Sequence, residues 1–122
     1  MSNIFIDPAN GRIALKIKVD SLQVVGFNIL VLAPDGNTEL ETHSGNSQDA
    51  NPFIIPLKDP VMYKDCYLTG TFVITDPDGA GNIYNVIFSV VQNEADLAPV
   101  ITLSGITTNK DVLRTGVFHV KE

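Results

Sequence analysis

The chain has 122 residues, of which 44% are apolar and 18% charged, with a net charge of −6, a balance that excludes intrinsic disorder and suits one core of ordinary domain size. The acidic excess is even, with four basic and seven acidic groups in residues 1–61 and the same numbers in residues 62–122, so no basic stripe exists to hold a phosphate backbone and nucleic acid is excluded as a partner. The longest unbroken apolar run, residues 29–34, is far too short to cross a bilayer.

No membrane partner is expected. Met1–Asn10 lacks the basic start and apolar centre of a secretory signal, which points to the cytoplasm or to export without a classical signal. The lone Cys66 cannot form an internal disulfide, so the fold must rest on core packing.

Along the chain, Ile4-Phe5-Ile6 is followed by Asp7-Pro8-Ala9-Asn10-Gly11, and the Asn-Gly pair predicts a tight first hairpin. Its second arm is the clearest strand in the sequence, because Ile13, Leu15, Ile17 and Val19 alternate with Ala14, Lys16, Lys18 and Asp20. Val24–Ala33 is apolar on both parities apart from Gly26 and Asn28, which predicts a central strand, and Pro34-Asp35-Gly36 turns it back. The return over Asn37–Thr42 puts Glu39 and Glu41 on one face of a solvated edge. His43–Pro52, rich in Ser, Asn, Gly and Asp, reads as a long surface loop.

Phe53–Leu57 is a short piece that Pro56 and Pro60 confine to an edge or a crossover. Tyr67–Thr75 alternates Leu68, Phe72 and Ile74 with threonines, and 76–81 carries turn residues before the apolar Asn82–Gln92, which together predict a hairpin. Val100–Leu103 and Val112–Val120 form the last two strands, with 105–111 between them, and no helix is predicted. About eight short strands with regular turn signals predict a single all-β domain over 1–122. The expected architecture is an antiparallel sandwich of immunoglobulin-like or related Greek-key order, with a small β-barrel as the alternative. The cysteine pair and tryptophan of antibody-type domains are missing.

Few residues carry chemistry. The metal candidates are Asp76, Asp78 and Asn82, whose spaced oxygens around Gly79 partly match the opening of a calcium loop. Ile87 stands where such a loop needs its bidentate Glu, so a plain turn is the expectation. His43 and His119 have no second histidine or cysteine at ligand spacing. Glu39, Glu41, His43 and Ser44 offer no activated nucleophile or acid–base pair, and Cys66 reads as an unreactive thiol. Tyr63, Tyr67 and Tyr84 are the side chains left to stack on a sugar ring. No phosphate-binding glycine motif is present, and no cofactor is expected.

The positive signal is the two-sided apolar character of Val24–Ala33 and Asn82–Gln92. In a two-layer sandwich one face of each strand is wet, so Val24, Leu30, Ile83, Ile87 and Val91 need a second cover, and a protein partner, self or hetero, is expected to supply it. The expectation is a non-catalytic structural or interaction module, a self-associating subunit of a larger bacterial assembly. A calcium- or glycan-binding sandwich is the alternative.

Overall fold

The computed structural model describes residues 2–21, 23–76, 82–107 and 111–122. Ten strands follow one another: β1 (Ser2–Phe5), β2 (Ile13–Val19), β3 (Val24–Leu32), β4 (Glu39–Asn46), β5 (Phe53–Pro56), β6 (Tyr67–Thr75), β7 (Ile83–Gln92), β8 (Ala95–Asp96), β9 (Ile101–Ile106) and β10 (Asp111–Lys121). A 3-10 turn, Pro60–Tyr63, precedes β6. The first sheet runs β1-β10-β6-β3-β4. The second runs β5-β2-β7, with β8 and β9 in line along the far side of β7. All pairings are antiparallel except β1 with β10. The chain is therefore an all-β sandwich of two open sheets rather than a barrel.

The core lies between the sheets. Alternation supplies it from both sides: Val25, Phe27, Ile29 and Val31 of β3 and Leu68, Phe72 and Ile74 of β6 face Leu15 and Ile17 of β2 and Tyr84, Val86, Phe88 and Val90 of β7. Phe88 bridges the layers, its ring centroid 5.4 Å from Phe72 and 5.0 Å from Phe118. Each such ring contributes roughly 1.5–3 kcal/mol by leaving water.

The connections β2–β3, β4–β5, β6–β7 and β9–β10 each join one sheet to the other, and all four leave from the same end of the sandwich. This topology corrects two sequence expectations. The first hairpin does not form: Ile4 and Ile6 are buried in the first sheet, while β2 lies in the second. The Gln92 amide secures the crossing segment, accepting from Asp7 N–H at 3.0 Å and donating to the carbonyls of Asp7 at 2.7 Å and Gly11 at 2.9 Å. Likewise β6 and β7 are not a hairpin, since β6 bonds β3 and β10 while β7 bonds β2 and β9.

The β3–β4 hairpin does form. The Asp35 carboxylate accepts from Asn37 N–H, Thr38 N–H and the Thr38 hydroxyl, and Gly36 takes a positive φ of 72°. These bonds, the Thr38 hydroxyl foremost, hold the Asp35 carboxyl below its ordinary pKa. The return strand runs on to Asn46, so His43–Asn46 is sheet and the polar loop begins only at Ser47. A second hairpin, β7–β8, turns on Asn93 and Glu94, both at positive φ. The last strands also differ from the antibody order, in which the final pair forms a hairpin in one sheet. Here β9 and β10 lie in opposite sheets.

Candidate functional site

Of the metal candidates, Asp76 and Asn82 sit at the end of the sandwich where the sheets exchange strands. Asp76 follows β6 on its inward parity and is only 1% exposed, and its Oδ2 accepts from Asn82 N–H at 3.3 Å. Asp78 lies outside the described residues. Among the described residues no group of three His, Cys, Asp or Glu side chains is placed to hold a metal ion. Near the same end, the buried side chains of Gln23 and Thr107 and the Ser21 hydroxyl have no hydrogen-bond partner among the described residues. Gln23 and Thr107 continue the inward parity of β3 and β9. A polar residue in register with an apolar row is the signal that could have found them.

On β4 a bulge separates the two glutamates. The register shifts between Val31 and Leu32, so Glu41 pairs with inward-facing Val31 while Glu39 pairs with outward-facing Leu32. Glu39 stays on the wet face and accepts from the Thr42 hydroxyl. Glu41 turns inward, where it accepts from His43 Nε2 at 3.0 Å. The one-face arrangement expected from simple alternation is thereby broken.

The inward Glu41 faces Tyr63 from the 3-10 turn. Burial pushes the Tyr63 phenol up to about 12, opposed by the Lys58 N–H that donates to its oxygen at 2.8 Å and reinforced by the Glu41 carboxylate. Cys66, also buried, is pushed up by desolvation and then by the charges of Asp65 and Glu41. Those shifts disfavour the thiolate and the phenolate, the forms that would act as nucleophiles.

The tyrosines do not form a platform. Tyr63 and Tyr84 are buried, the latter accepting from Arg114 Nε at 2.6 Å. Tyr67 stacks on His119 with centroids 4.1 Å apart and planes 6° from parallel, and His119 Nε2 in turn reaches the Asp65 carbonyl at 3.1 Å.

The five residues expected to need a cover fall on opposite sides of the molecule. Val24 and Leu30 lie on the outer face of the first sheet, whereas Ile83, Ile87 and Val91 line the outer face of the second. Val24, Leu30, Ile87 and Val91 are half-buried. On the second sheet Lys18 stands beside Ile87 in register, and Ala14 beside Val91. Lys16 binds Asp96 of β8 at 2.8 Å above buried Ser89, whose hydroxyl reaches the same carboxylate at 3.4 Å. The chain's own Lys16 and Asp96 of β8 thus occupy the part of this face above Ser89, and Ile87 and Val91 are half-buried without a partner chain.

Apolar side chains are still exposed there, among them Ile54 on β5 and a pair at the β9 border. Ile83 is 71% exposed and Ile106 58% exposed, and they are register partners across β7 and β9. Thr107 N–H donates to the Asn82 carbonyl at 3.0 Å, so by antiparallel alternation Ile83 and Ile106 form a non-hydrogen-bonded pair, the kind whose side chains come closest. Comparison with protein-family models, with curated proteins and with solved structures finds no match to this chain.

Proposed function

We propose that this protein is a non-catalytic interaction module that self-associates through the β9 side of its second sheet. The observation that carries the reading is the Ile83–Ile106 pair. Scattered exposed apolar residues are ordinary on protein surfaces, but these two are adjacent, highly exposed and placed at the rim of a face that also carries Lys16, Lys18 and Asp96. The upward shifts of the Cys66 thiol and the Tyr63 phenol support the non-catalytic part of the reading, since an activated nucleophile needs the opposite direction.

The test is the solution mass by light scattering across a dilution series, with calcium and with chelator. A concentration-dependent oligomer that is indifferent to chelator and lost in Ile83→Lys and Ile106→Lys is the expected result. A monomer at every concentration would overturn self-association, and an oligomer that needs calcium would move the function to a metal-dependent contact.

A further inference from the structure

The strand edges of the sandwich are not equally protected. On β4, the first sheet ends in a strand that carries Glu39, Glu41 and His43 and is broken by the bulge. Its opposite border is the four-residue β1 together with the lower part of β10, which carries Asp111 and Arg114. The second sheet ends at β5, four residues long and closed by Pro56. Charge, proline, bulges and brevity are the devices that keep strand edges from pairing with other chains. At the far border β9 has none of them: Ile101-Thr102-Leu103-Ser104-Gly105-Ile106 is uncharged, free of proline and in unbroken register with β7.

The hydrogen bond from Thr107 N–H to Asn82 fixes which backbone groups of β9 face β7. Odd-numbered residues bond inward to β7, so the N–H and C=O groups of Thr102, Ser104 and Ile106 point to the open side. Among the described residues no backbone group bonds them there.

We infer that β9 pairs edge to edge with β9 of a second copy, antiparallel about a two-fold axis at Leu103, joining the two second sheets into one. This rests on the self-association proposed above and specifies its geometry. A two-fold interface must be self-complementary, and a continuous sheet requires outward residues to face outward residues. An axis at Leu103 sets Thr102 against Ser104 of the second copy and Ile106 against Val100. Val100 is itself 42% exposed, so each Ile83–Ile106 pair gains a third apolar neighbour. An axis at Ser104 would set Ile106 against Thr102 and leave Val100 unmatched. No charged residue lies in the paired segment, so joining two copies of net charge −6 opposes no like charges across the ladder.

Thr102→Pro removes an N–H on the open side and leaves the ladder to β7 intact. Light scattering should show a dimer for the natural chain and a monomer for Thr102→Pro, with the melting temperature held. As a second reading of register, Leu103→Cys should give a disulfide-linked dimer on non-reducing gels, while the natural chain, whose Cys66 is buried, should not. A dimer that survives Thr102→Pro, or one that Leu103→Cys fails to cross-link, overturns the β9 pairing while self-association stands. A natural chain that is monomeric throughout overturns both.

Discussion

The two flanks of the sandwich solve one packing problem with different chemistry. On the β4–β5 flank the Phe53 and Phe27 rings meet edge to face, centroids 4.9 Å apart, in the space that Gly45 leaves by having no side chain. On the β9–β10 flank Tyr84 fills the corresponding space beneath Gly105, its hydroxyl turned to Arg114. The first flank also closes its border. Asn51 bonds Val19 as a neighbouring strand would, accepting from its N–H at 3.0 Å and donating to its carbonyl at 2.8 Å, and the outer strand is charged and bulged. Among the described residues no such device finishes β9. Packing density is thus served on both sides, and protection against added strands on one.

The largest expected effect is on the sealed flank. Phe27→Ala should cost about 3–5 kcal/mol, read as a lower denaturant midpoint with an unchanged slope, because it empties the core side of the Phe27–Phe53 contact. The glycines separate the flanks more sharply. A Cβ on Gly105 would stand 2.7 Å from the Tyr84 oxygen, and Tyr84 is fully buried, so Gly105→Ala should cost about 1–3 kcal/mol through overpacking. Gly45→Ala meets Phe53 at 2.8 Å, but that ring is only half-buried and can swing outward, so its cost should be the smaller of the two. The reverse order in urea unfolding would break the comparison.

Asn51→Ala, which leaves Val19 without its side-chain partner, should cost about 1–2 kcal/mol by the same assay. The last expectation is a pH dependence. The folded Tyr63 phenol keeps its proton up to about 12, whereas the unfolded chain loses it near 10. Its contribution is therefore fully present below pH 10 and declines as pH rises from 10 to 12. Tyr63→Phe should flatten the fall in melting temperature over that interval, and an unchanged profile would mean that the phenol does not feel Glu41 and its burial.

How far the molecule was legible in advance depended on the kind of signal. Strand β2 was readable residue by residue because Ile13, Leu15, Ile17 and Val19 alternate strictly, and all four are buried. The β3–β4 turn was readable because Asp35 and Gly36 act on their immediate neighbours. Similar turn residues follow Thr75 in the sequence, yet β6 and β7 on either side of them lie in opposite sheets. Turn chemistry reverses direction but does not choose the partner strand. The bulge at Leu40 was equally hidden: nothing in Glu39-Leu40-Glu41 marks it, yet it sends Glu41 inward to His43 and Tyr63. Of the apolar residues expected to need a cover, the sequence could not reveal that Val91 would pair with Asp96 of β8, itself held by Lys16, in the same chain.

By itself the sequence determined the all-β class, the position of most strands and the inward set of each, because these follow from local propensity and from a period of two that any half-buried strand must obey. Which strands are neighbours, which edge stays open and which polar groups end inside were decided only by tertiary structure. The physical reason is that pairing joins residues distant in the chain, so the partner of β9 is β7, and its unprotected side exists only once β10 has crossed to the other sheet.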